Sequence, residues 1–139
     1  MVLVVLVAGC GSGTQTRART KPSVVEQETS PPGPCSSRAA TRSTFSLVVC
    51  FSRANERFDR QIKAREKFLQ RLLDVGSTRA AFMRSEKTWF VYRRQECLVE
   101  AAHYLGGSAE PVAYGSCVAN RNAEHLAALA ELERYFRMG

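Results

Sequence analysis

Five cysteines in a chain of 139 residues constrain this protein more than any other feature of its sequence. The number is odd, so in an oxidising compartment four can pair and one must do something else. Cys10 stands alone near the start, while Cys35, Cys50, Cys97 and Cys117 are spread over the remainder. Four cysteines allow three pairings. Joining each to its chain neighbour closes loops of 15 and 20 residues, each worth about 3 kcal/mol in the chain-entropy description. No two of them stand as C-x-x-C, so the spacing offers neither a zinc knuckle nor a thioredoxin-type redox pair.

The surroundings of Cys10 explain the odd one. Val2 to Ala8 is an unbroken apolar run, too short to span a bilayer but long enough for the core of an export signal. It ends in Val7-Ala8-Gly9-Cys10, which looks like a bacterial lipobox: small residues enter the peptidase cleft, and the Cys10 thiol takes the lipid. No Lys or Arg precedes Arg17, so the start lies upstream or the signal is degenerate. Residues 1–10 are therefore expected to be a lipoprotein signal segment. Residues 11–34 hold three Gly and four Pro among many Ser and Thr, with Val24 and Val25 as their large aliphatics. Such a stretch cannot offset its chain entropy by burial and is expected to be a flexible tether, with an r.m.s. reach of about 25–30 Å. The expected location is exported, anchored by lipid to the outer face of a bacterial membrane, where disulfides persist.

From Cys35 to Gly139 the pattern is helical, which predicts an all-α domain: a small antiparallel bundle of three to four helices. Ser36 or Ser37 can cap a first short helix running to about Val49, although Ser43 to Phe51 is β-branched enough to be ambiguous. A second helix over about 52–75 carries Phe58, Ile62, Leu69, Leu72 and Leu73 at helical spacing. Gly76 is expected to close it in a left-handed conformation, and Ser77 to cap the next. The third carries Phe82, Trp89, Tyr92, Leu98 and Val99 toward Tyr104, and the last Leu126, Leu129, Leu132 and Phe136. Between them, Gly106-Gly107-Ser108 repeats the stop-and-start chemistry, with Gly107 past the helix end, Ser108 as N-cap and Pro111 in the next first turn.

Trp89, Arg93 and Cys97 stand four residues apart on one helical stripe, where Arg93 can lie over the Trp89 ring with its charge in water. The run Trp89-Phe-Val-Tyr-Arg93-Arg-Gln-Glu-Cys97, followed by Tyr104-Leu-Gly106-Gly107-Ser108, Pro111, Tyr114 and Cys117, resembles the lysozyme-inhibitor LprI family. The resemblance extends from about Cys35 to Phe136 and is densest from Trp89 to Cys117. It implies a helical, two-disulfide domain, stapled Cys35–Cys50 and Cys97–Cys117, that binds and inhibits lysozyme outside the membrane. The binding positions it carries over are Trp89, Arg93, Gly107 and Ser108. Asn122 and His125 stand where the family usually has Thr and Arg, and Lys63 and Glu66 where it has Asn and Tyr.

The remaining chemistry is sparse. Two histidines, His103 and His125, have no Ser, Cys or carboxylate arranged around them in a catalytic pattern, so an enzyme is not expected, nor a cofactor, a metal or a small-molecule substrate. His103 reads as an interhelical polar contact and His125 as solvent-facing. Glu96 and Glu100, one turn apart, read as a solvated face. The net charge of +7 concentrates on the second helix, where Arg53, Arg57, Arg60, Lys63, Arg65, Lys67 and Arg71 stand against Glu56, Asp59 and Glu66. Export argues against nucleic acid. A basic face beside a lipid anchor suits anionic headgroups or wall polymers, so an envelope adaptor is the alternative function. Animal-type lysozymes are themselves basic, so an inhibitor needs a locally acidic surface, and the last helix, with Glu110, Glu124, Glu131 and Glu133 against Arg121, Arg134 and Arg137, is the better candidate.

Overall fold

The computed structural model describes residues 33–73 and 76–138; Cys10 and most of the expected tether lie outside them. Three long helices make the fold: α1 (Thr44–Leu72), α2 (Gly76–Ala101) and α3 (Glu110–Met138). Single 3-10 turns, Ala40–Arg42 and Ala102–Tyr104, precede α1 and follow α2. The described residues contain no strand. None of their helices is long and apolar enough to cross a membrane.

The expected break between a first and a second helix does not exist. Ser37 Oγ accepts from the Ala40 N–H at 3.3 Å and starts only the 3-10 turn. Ser43, extended at φ −156°, then accepts from the Ser46 N–H at 3.0 Å and caps α1. From there α1 runs through Val48, Val49 and Cys50 without interruption. No Gly or Pro stands in that run, and burial of one side outweighs the β-branched preference for strand.

Gly76 is likewise not a left-handed stop: it is the first residue of α2. The C-terminal turn of α1 is closed by Leu73, whose N–H reaches the Leu69 carbonyl at 2.8 Å. Its own carbonyl accepts from Arg79 Nε at 3.0 Å. Among the described glycines, Gly106 has the positive φ, +76°, so it and not Gly107 ends the second helical segment. Ser108 does not cap α3. Glu110, the first residue of α3, instead ties the helix to the loop before it, its carboxylate accepting from the Gly106 N–H at 2.8 Å.

The cross-helix contacts fix the directions. Asp59 meets Arg93 and Cys97 meets Cys117, so α2 runs antiparallel to both neighbours. Asn55 meets Gly115 and Arg65 meets Glu133, so α1 and α3 run parallel, as the outer members of an up-down-up bundle must. They approach closely at Gly115, where a Cβ would sit 3.0 Å from Phe51 Cβ.

An apolar core of Ile62, Leu69, Leu73, Phe82 and Leu129 fills one end, with Leu72, Trp89, Phe90, Leu126 and Leu132 against it. The other end is held by the Cys97–Cys117 disulfide with Val118 and Tyr114. Cys35–Cys50 ties the 3-10 turn segment to α1. Of the stripe expected on α2, Phe82 is buried, whereas Tyr92, Leu98, Val99 and Tyr104 are exposed.

The two disulfides close similar loops but differ in burial: Cys97 and Cys117 are 0% and 2% exposed, while Cys50 is only half-buried. Replacing Cys97 and Cys117 by Ala should cost about 3 kcal/mol from chain entropy plus a cavity term. The Cys35/Cys50 double variant should lose less. Denaturant midpoints of the two variants check the order.

Candidate functional site

The polar residues of the bundle are concentrated along its axis, between the disulfide end and the apolar end. Arg93, on α2, is at the centre, its side chain 14% exposed. Its Nη1 donates to Asp59 Oδ1 on α1 at 2.9 Å and to Asn122 Oδ1 on α3. Asn122, fully buried, donates to Asn55 Oδ1 at 3.3 Å, and Asn55 Nδ2 donates to the Gly115 carbonyl at 3.0 Å. The guanidinium carbon lies 5.0 Å from the Trp89 ring centroid and 4.9 Å from that of Phe90. The expected Arg93–Trp89 contact is therefore present, but the charge is not kept in water: it is drawn inside and matched there.

Trp89 joins this layer to a second one. Its indole stacks on the His125 imidazole at 3.7 Å between centroids, 11° from parallel. His125 Nε2 lies 2.7 Å from Glu86 Oε2, with the two side chains 11% and 10% exposed. Glu66 of α1 completes the group. Its carboxyl is pushed up to about 7, first by burial and then by its hydrogen bond to, and the charge of, Glu86.

His125 is thus interior, contrary to the solvent-facing position expected of it, because position 125 lies on the same stripe of α3 as Asn122 and Leu129. His103 is the exposed one, edge-on to Tyr104. It sits in the 3-10 turn after α2, where no helix passes over it.

Sequence reasoning missed Glu66 and Glu86, yet a signal exists. Glu66 falls between Ile62 and Leu69, and Glu86 between Phe82 and Trp89, so each interrupts an apolar stripe. Gly107 and Ser108, the other two binding positions carried over, are exposed on the loop between α2 and α3.

The surface charge is also rearranged. On α1, Glu66 turns toward the interior and the partly exposed Asp59 is taken up by Arg93, leaving Arg53, Arg57, Arg60, Lys63, Lys67 and Arg71 exposed with Glu56 among them. On α3, the better candidate for an acidic face, Glu124, Glu131 and Glu133 are matched by arginines, and Glu110 is taken by the Gly106 N–H. Glu124 pairs with Arg121 at 2.7 Å and Glu131 with Arg134 at 3.6 Å. Glu133 pairs with Arg65 at 2.7 Å and Arg137 at 2.6 Å. Glu96 is not a solvated face either: it pairs with Arg121 at 2.9 Å and accepts from the Tyr92 hydroxyl, which raises the Tyr92 pKa. Glu100 has no ion pair among the described residues. It lies on a groove with Leu47, Phe51, Tyr104 and Val112, beside the loop that holds Gly107 and Ser108.

The family model for lysozyme inhibitor LprI matches residues 35–129. This chain belongs to the LprI family. The match takes in all four disulfide cysteines, the Arg93 layer and the His125 layer, and stops at Leu129. No curated protein and no solved structure matches the chain. Membership supports a lysozyme-inhibitor-like function at the level of the family.

Two outcomes follow from this interior. Arg93→Ala strands Asp59 and Asn122 and should lower stability by about 3 kcal/mol, read from denaturant unfolding. For Glu66, the folded-state value of about 7 lies above the ordinary 4.5. Its contribution is therefore fully present below 4.5 and is lost as pH rises through 7. Unfolding midpoints should fall between pH 5 and 8, and Glu66→Gln should flatten that slope.

Proposed function

We propose that this LprI-family domain binds and inhibits a lysozyme at the cell envelope, held there by lipid on Cys10 through the 11–34 tether. The observation that carries this reading is the family match across residues 35–129, which spans both disulfides. The contact surface proposed is the end of the bundle where α2 passes into α3. There Gly107 and Ser108 are exposed, Leu105 is 78% exposed, and Glu100 lines the groove of Leu47, Phe51, Tyr104 and Val112. A basic lysozyme favours such a place: an acid free of an internal cation, next to apolar side chains that gain from being covered. Trp89 and Arg93, which lie inside, contribute by holding α2 against α3 and so fixing the shape of that end.

A lysis assay tests the reading. A large molar excess of the protein should slow clearing of a bacterial suspension by chicken-type lysozyme. Glu100→Lys or Leu105→Asp should weaken the effect about tenfold or more, and Lys67→Glu on the far stripe should not. No slowing by the unaltered protein would sink the inhibitor function, and slowing that both loop-end variants retain would move the contact elsewhere.

A second reading rests on the α1 stripe. Six exposed cations recur at helical spacing from Arg53 to Arg71, over about 27 Å, with one neighbouring acid, Glu66, half-buried and another, Asp59, paired with Arg93. An envelope adaptor would lay this stripe on anionic lipid headgroups or wall polymer. It predicts co-sedimentation with anionic but not neutral vesicles, released as salt rises. Binding that is absent or indifferent to salt counts against it.

A further inference from the structure

We propose that Glu66, Glu86 and His125 form a binding site for a divalent transition-metal ion of the zinc class at the junction of the three helices. Each helix supplies one ligand, and the three ligand atoms lie within 4.8 Å of one another. A zinc ion at about 2.0–2.1 Å from each of three such atoms would hold them about 3.3 Å apart. Small rotations of the three side chains, opening the 2.7 Å His125–Glu86 contact, reach that arrangement without moving a helix.

Two observations point to a cation and not to a merely structural cluster. Glu66 Oε1 is shut off from solvent and has no partner beyond the carboxyl contact with Glu86, a costly state once both carboxyls are ionised unless something positive sits against them. Two carboxyls also face each other here, and the positive groups that offset them are the imidazole of His125, itself one of the three, and Lys63, whose side chain is at the surface. The Arg93 guanidinium, the strong interior cation, is engaged by Asp59 and Asn122 in the other layer. The donor set decides the class of ion. One imidazole nitrogen with two carboxylates suits zinc and its neighbours, whereas Ca²⁺ and Mg²⁺ prefer six or more oxygen ligands. Three protein ligands leave a further position for water.

The chain contains a single tryptophan, Trp89, stacked directly on the His125 ligand, so its fluorescence reports the site. The experiment uses the full chain carrying Cys10→Ser, which removes the thiol outside the two disulfides. After EDTA treatment and dialysis, Zn²⁺ is titrated at neutral pH and followed by Trp89 fluorescence and by calorimetry. Saturation at one equivalent is expected, with a rise in thermal midpoint and little response to Mg²⁺. Glu66→Gln and His125→Gln should each weaken binding by about tenfold or more. Glu56→Gln, on the exposed stripe, should leave it unchanged. Far-UV circular dichroism establishes that each variant is folded; should His125→Gln fail to fold, Glu66→Gln decides the matter, because an amide at that position removes charge and keeps shape. Absence of saturable Zn²⁺ binding, binding that Glu66→Gln leaves intact, or equal binding of Mg²⁺ overturns the proposal.

Discussion

A guanidinium inside a small helical bundle must be matched where it stands, and the structure is arranged around that requirement. Arg93 reaches Asp59 on α1 and Asn122 on α3 from its own place on α2, with Trp89 and Phe90 against its flat faces. Apolar contacts alone would tolerate a helix sliding by a turn, because one leucine packs much like another. A charge with two fixed acceptors on different helices does not, since a slip leaves the acceptors buried and unsatisfied. The register of all three helices is therefore tied to one side chain. The Cys97–Cys117 bond, one turn further along α2, holds the same register covalently.

Charge is sorted by the same packing. Glu66 turns toward the interior of the bundle and Asp59, still partly exposed, is engaged by Arg93, so the free surface of α1 is more basic than its sequence. Three of the acids of α3, Glu124, Glu131 and Glu133, are neutralised by intrahelical arginines and by Arg65 of α1. What remains is a bundle with a basic stripe along α1 and, beside the α2–α3 loop, the exposed Glu100, which has no ion pair among the described residues. These two places are the natural ones for different partners, an anionic surface and a basic protein.

Much of the fold was legible in the sequence. Helical periodicity gave the three-helix core, with Ile62, Leu69, Phe82 and Leu129 where the stripes put them. The W-x3-R-x3-C segment located the Trp89–Arg93 contact and the family. Boundaries were less legible because local signals compete with burial. Ser52 looked like a helix start, yet α1 runs past it, since nothing there breaks the helix and both sides of the junction pack on α3. Gly76 looked like a stop, but the turn before it was closed by Leu73 and by Arg79 from the next helix.

The site was the least legible part. A histidine flanked by Glu124 and Ala127 has the local composition of a surface, and only the rotation of α3 against Trp89 makes His125 interior. Glu66 and Glu86 are 20 positions apart in sequence and meet through an antiparallel crossing that no short motif encodes. The sequence by itself determined the helical class, the cysteines that staple it and the residues that mark its family, because periodicity and spacing are local quantities. Tertiary structure alone decided which charges are inside, because burial depends on which faces of three separate helices are brought together.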